Sequence, residues 1–354
     1  MKSTRMFLLL AGLLIAASCL WSCSREQNTE SDTYKLTYSI FFPATHGQAK
    51  AGIAWAKEIE KRTEGRLRIT IYSAGSLTPA DQCYDGVVKG ISDIGMSCFS
   101  YNRGRFPFME VLDLPVGYPN GQIATQVAND IYQKFQPKEL DAVKVLYLHA
   151  HGPGLLHTKK EVRSLEDLKG MKIRSTGLTA SVASSLGAVP VAMPQGMTYE
   201  SLQKGIVDGT IGPIEVLKGW KQAEVIKSTT NCAEIGYTTA MFVVMNKKKW
   251  LSLPPDIQAV IEEVNSEWIG HHGKIWDDLD KDGREFSLSQ GNKIFPLTSE
   301  EGLRWKKAVQ PVIMEFAENK GPSGQEALQE IDRLIKKYTV NPPPSPAKGL
   351  EEPL

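Results

Sequence analysis

The order of periodic segments along this 354-residue chain predicts an α/β fold made of two similar lobes. Three observations carry the prediction. Short strand-like runs alternate with helical runs. One helix-to-strand unit occurs twice, about 115 residues apart. One helical pattern toward the C-terminal end is too long for a single small domain.

The first strand reads from Tyr34 to Phe42 and runs through FPATHG into an amphipathic helix with Ile53, Ala54, Trp55 and Ile59 as its apolar positions. From Arg66 to Tyr72 apolar residues alternate with Arg68 and Thr70, the pattern of a half-buried strand. Asp93 to Met96, Val143 to Leu148 and Met171 to Ser175 are further strands with helices between them, an order that implies largely parallel sheets.

DGVVKGISDIGMS ends a helix at Lys89-Gly90 and enters a strand, and SLQKGIVDGTIGP does the same at Lys204-Gly205. Both glycines suit a left-handed helix end, where a Cβ is strained. The spacing far exceeds the ~20 to 50 residues of solenoid repeats, so the unit marks two lobes. From Pro254, residues Ile257, Val260, Ile261, Val264, Trp268, Ile275, Trp276, Leu279 and Phe286 keep helical spacing with no proline before Pro296. A helix of about 33 residues is ~50 Å long and must lie across both lobes. The tail NPPPSPAKGLEEPL reads as extended.

The N-terminus carries Lys2 and Arg5, an apolar run from Met6 to Trp21, then Ser22-Cys23 and a polar stretch, the layout of a secretory signal. LWSC resembles the bacterial lipobox, in which the cysteine is acylated and becomes the new N-terminus; this marks Cys23 for lipidation, with Cys19 as a competing site. Cys83, Cys98 and Cys232 remain. Three thiols cannot all pair within the chain, so the fold is held by its core and not by a disulfide framework. Without Lys2 and Arg5 the formal charge of +1 becomes about −1. A near-neutral chain without basic blocks argues against nucleic acid as a partner.

Catalytic motifs are weak. SLQK at Ser201 to Lys204 has the SxxK spacing of penicillin-recognising enzymes but lacks their SDN and KTG companions, and no GxSxG or phosphate loop occurs. His149, His151 and His157 lack an acidic or cysteine ligand at a metal-binding offset, and a structural or hinge role fits them better. His271 and His272 point about 100° apart on a helix and do not converge on one ion. No cofactor is expected.

The segment LEDLKGMKIRSTGLTASVASSLGAVPVAMPQGMTYESLQKGIVDGTIGP resembles the solute-binding subunits of tripartite ATP-independent periplasmic (TRAP) transporters, with their DLKGxKIR, LGAxPV and GxVDG in order. The likeness extends to EIEKRTEGRLRITIYSAGSL and WLSLPPDIQAVI and covers nearly the whole chain beyond the signal. It implies a two-lobed periplasmic solute-binding fold with crossing strands, a long helix spanning both lobes and a ligand closed between them. It also implies partners: a small organic acid, the TRAP membrane subunits and, through the anchor, a membrane. The expected layout is a signal peptide over 1–22, a lipid-anchored linker over 23–33, lobe I over 34–151 and 241–285, lobe II over 152–240 and 286–338, and a proline-rich tail over 339–354.

The resemblance makes Arg174, the arginine of KIR, the carboxylate-binding residue, a role suited to a planar pair of donors that stays charged when desolvated. It places Phe41, His46, Ser97, Tyr101, Gln195, Tyr199, Gly212 and Tyr237 at the ligand as well. Sugar-acid-binding members carry a second arginine where this chain has Gly154, and an asparagine where it has Gly212. Fewer polar donors, with Phe41 and Phe42 in the first interlobe loop, point to an aromatic or branched monocarboxylate. A sensor for a membrane receptor and an exported enzyme using the same cleft are the competing readings; no nucleophile, base and metal set supports the latter.

Overall fold

The computed structural model describes residues 33–343. The export-signal and Cys23 readings, and the tail beyond residue 343, lie outside the described residues. In chain order the strands are β1 (Tyr34–Ile40), β2 (Leu67–Tyr72), β3 (Ile94–Cys98), β4 (Val143–Ala150), β5 (Leu155–Thr158), β6 (Lys172–Ser175), β7 (Val189–Ala192), β8 (Gly209–Gly212), β9 (Ser228–Asn231), β10 (Ala240–Asn246) and β11 (Lys293–Pro296). The helices are α1 (Gly47–Arg62), α2 (Cys83–Lys89), α3 (Gly121–Phe135), α4 (Leu165–Leu168), α5 (Thr179–Ser185), α6 (Thr198–Gln203), α7 (Val216–Gly219), α8 (Lys247–Ser252), α9 (Pro255–Ser289) and α10 (Ser299–Val340).

Two sheets form two lobes, ordered β2-β1-β3-β10-β4 and β11-β9-β5-β8-β6-β7. The sheets are mixed where the sequence predicts largely parallel ones. Every antiparallel pair contains β5 or β10. These are the strands that follow the two crossings: β4 leads into β5 of the other sheet, and β9 leads back into β10. The crossings are tied side by side, with Gly154 N–H donating to Tyr237 O at 2.9 Å and the Thr239 amide donating to His151 Nε2 at 3.0 Å.

The repeated unit is real in geometry. Gly90 closes α2 and Gly205 follows α6 at φ of +76° and +72°, one in each lobe. Strand ends shift for local reasons. β1 stops at Ile40, because Pro43 restrains Phe42 and the chain turns the two phenylalanines out of the sheet. Asp93 stays outside β3, where its carboxylate accepts from Thr37 N–H at 2.8 Å.

Helix α9 runs 35 residues and binds both lobes. In the first, Trp55 Nε1 donates to Asn265 at 3.0 Å, and Asp277 accepts from the Gly121 amide at 2.6 Å, capping α3. Toward the second, Asp280 accepts from the Glu215 amide at 3.1 Å. α10 is a second long helix that the sequence reading did not delimit, two helices meeting at Gly321 (φ 59°) before Pro322. It ends at Val340, inside the segment expected as tail, with Asn341 as its cap ahead of Pro342.

Candidate functional site: a cleft with an unpaired guanidinium

Between the lobes lies a cleft holding about 400 Å³ of non-protein space including its mouth, lined by residues of both sheets and both crossings. Arg174 lies in β6, at the end of the strand. Sheet pairing on both sides, to Val191 and to Thr210, fixes its backbone. The side chain is 5 % exposed, and Nε donates to Met193 O at 3.0 Å. Its terminal nitrogens have no hydrogen-bond or ion-pair partner among the described residues. A buried charge left uncompensated costs several kcal/mol, a cost that an anion beside this guanidinium would lower.

Around Arg174 the cleft wall is formed by Tyr101, Thr176, Gln195 and Tyr237, and Tyr101 accepts from the Gln195 amide at 3.2 Å, a bond from one lobe to the other. Burial drives the Tyr101 hydroxyl well above its ordinary range, so it stays a neutral donor at physiological pH. Burial likewise pulls the His151 imidazole down to about 4, with the Arg174 charge acting in the same direction. The adjoining part of the cleft is aromatic. Phe41 meets Tyr101 edge-on at 5.6 Å and stacks toward Trp220 at 6.3 Å, and Phe42 and Trp276 complete that wall.

Of the residues expected at the ligand, Arg174, Phe41, Tyr101, Gln195, Gly212 and Tyr237 line this one cleft. His46 sits one layer behind, bonded to Glu215 of the wall at 3.0 Å. Ser97 and Tyr199 are not on the wall. Successive strand residues face opposite ways, so Cys98 reaches the cleft while the Ser97 hydroxyl donates to Ala80 O at 2.6 Å. Tyr199 donates to Glu224 at 2.7 Å on a partly exposed face. Sequence reasoning missed Glu215, Trp220, Thr239 and Trp276. Trp276 carries the spacing of an ordinary core position, and the others have no local signature.

Gly154 explains its own residue type. A Cβ there would stand 1.9 Å from the Tyr237 ring, so the aromatic ring occupies the space that an arginine would need. At Gly212 a Cβ would meet Val216 at an ordinary 3.6 Å, so this glycine leaves room in the cleft. The histidines are held structurally: His157 contacts Thr229 Oγ1 at 2.9 Å and Gly212 O at 3.1 Å, and His149 accepts from Trp276 Nε1 at 3.0 Å while stacking on His272. Among the described residues no group of three or more His, Cys, Asp or Glu is arranged to hold a metal ion.

Two lobes joined by paired crossings, with a desolvated arginine facing the space between them, define a solute-binding protein. The chain belongs to the DctP family, bacterial extracellular solute-binding proteins of family 7, whose model matches residues 38–320. It is 32 % identical to a TRAP periplasmic solute-binding protein from Desulfovibrio salexigens, over 87 % of this chain and 97 % of that one, with a TM-score of 0.76. A TRAP solute-binding protein from Rhodoferax ferrireducens, solved with copurified benzoate, is 28 % identical over 87 % and 99 % of the two chains, with a TM-score of 0.82. The monocarboxylate 2-oxoacid-binding periplasmic protein of a Nostoc species is 28 % identical over 82 % of each.

Proposed function

We propose that this protein is the extracytoplasmic receptor of a TRAP transporter, which closes its lobes on a small aromatic monocarboxylate and delivers it, chemically unchanged, to membrane subunits. The buried, unpaired Arg174 guanidinium carries the reading. A carboxylate would supply two acceptors in the plane of the fork. The rings of Phe41, Phe42, Trp220 and Trp276 favour an aromatic body over a hydroxylated one, and the benzoate found in the Rhodoferax relative supports that choice. The lobes would be 34–151 with 241–285 and 152–240 with 286–338, moving about the crossings.

A thermal-shift screen of benzoate, phenylacetate and mandelate against aliphatic 2-oxoacids tests this. At 100 times its dissociation constant a true ligand adds ~2.7 kcal/mol of stability. The aromatic acids are expected to give the larger shifts and to be recovered unaltered. No shift with any carboxylate would remove the reading, and a chemically altered ligand would replace it with an enzyme.

The proposal includes the anchor. An apolar run that ends at Ser22-Cys23 before a polar leader supports diacylglycerol modification of Cys23. Cys23→Ser is expected to move the exported protein from the membrane to the soluble fraction, and an intact mass without lipid on wild-type protein would refute it.

A further inference from the structure

The cleft holds a second buried charge that the carboxylate does not use. Glu215 is 2 % exposed and lies on the cleft wall, yet makes no ion pair with Arg174. Arg174 acts electrostatically on Tyr101, His151 and Tyr237, whereas Glu215 is bonded to His46 and Asp280. His46 Nδ1 accepts from the Gln48 amide at 3.1 Å, as the cap of α1, so the ring proton sits on Nε2 and is donated to Glu215 Oε2 at 3.0 Å. That bond, with the Glu215 amide held by Asp280, fixes the carboxylate in place. Its other oxygen has no hydrogen-bond partner among the described residues.

Burial, and then the Glu215 carboxylate, push Asp280 up to about 8, so it is protonated at neutral pH. A carboxylate oxygen without a protein donor, on a residue of the cleft wall, is available to a ligand that supplies one.

We propose that Glu215 is a specificity-determining residue that selects acids carrying a hydrogen-bond donor at the end remote from their carboxylate. The donor is a hydroxyl or an ammonium on a ring lying against Phe41 and Trp220. This rests on the reading of the cleft as an organic-acid site and narrows its ligand class. Arg174 fixes one end of the ligand, and Glu215, held by His46, reads the other.

Calorimetric titration with volume-matched acids tests it: 3- and 4-methylbenzoate against 3- and 4-hydroxybenzoate and 4-(aminomethyl)benzoate. In wild type, at least one donor-bearing acid is expected to bind about 10- to 100-fold tighter than its methyl counterpart, the range of a hydrogen bond to a buried charged group. A hydroxyl preference identifies a neutral donor and an aminomethyl preference a cationic one; either supports the proposal. Glu215→Met is expected to erase the difference between donor-bearing and methyl acids, and Glu215→Gln to retain part of a hydroxyl preference and lose an ammonium preference. A flat wild-type panel overturns the proposal while leaving the acid site intact, as does a donor preference that survives in Glu215→Met. Failure of all five acids to bind overturns both readings.

Discussion

Arg174→Ala is expected to weaken binding of the carboxylate ligand by roughly 30- to 5,000-fold, the equivalent of ~2 to 5 kcal/mol for truncating one partner of a buried charge pair. The sign on stability is opposite. In the ligand-free protein the guanidinium is buried and, among the described residues, Nε alone is engaged, so its removal is expected to leave the melting temperature unchanged or raise it. Arg174→Lys is expected to bind poorly as well, because an ammonium cannot present two parallel donors. Titration calorimetry and thermal denaturation of the same three proteins check both halves. Near wild-type affinity in both variants would strip the site of its anion receptor. A large fall in stability without ligand would show that Arg174 is structural.

Gly154→Ala is expected to be the most damaging small substitution near the cleft. The new Cβ would fall 1.9 Å from Tyr237 Cε1 and 2.4 Å from Cζ, and neither backbone can withdraw easily, since the Gly154 amide is bonded to Tyr237 O at 2.9 Å. Overpacking costs typically ~1 to 3 kcal/mol and more where relaxation is blocked, so a loss of ~3 kcal/mol is expected by chemical denaturation. Ligand affinity should fall with it, because Tyr237 is displaced from the cleft wall. The double variant Gly154→Ala/Tyr237→Ala should be markedly more stable than additivity of the two single changes predicts, since the second truncation removes the clash created by the first. Strict additivity would mean that the two residues do not compete for this space.

The Gly154–Tyr237 pair also shows where sequence reading stops. A glycine in place of an arginine is visible in the sequence and suggests a lost polar contact. That the space is filled by an aromatic ring 83 residues later in the chain becomes visible only when the two crossings lie side by side. Ser97 and Tyr199 lie off the cleft wall for a related reason. In a strand one step in sequence exchanges the cleft face for the opposite one, and a tyrosine on a short helix points wherever that helix turns it.

By itself the sequence determined the features encoded in local periodicity and composition: the strand-and-helix alternation, the repeated KGxxD unit, a long helix after Pro254 and an arginine at the end of the KIR strand. These follow from side-chain spacing along one segment, which a linear reading can measure. Tertiary structure alone decided the mixed sheets, the tie between Asp280 and the Glu215 amide, the layer that sets His46 behind the wall, and the lack of a partner among the described residues for the terminal nitrogens of Arg174. Each depends on residues brought together from distant segments, and whether a buried charge is paired is a property of what surrounds it in space.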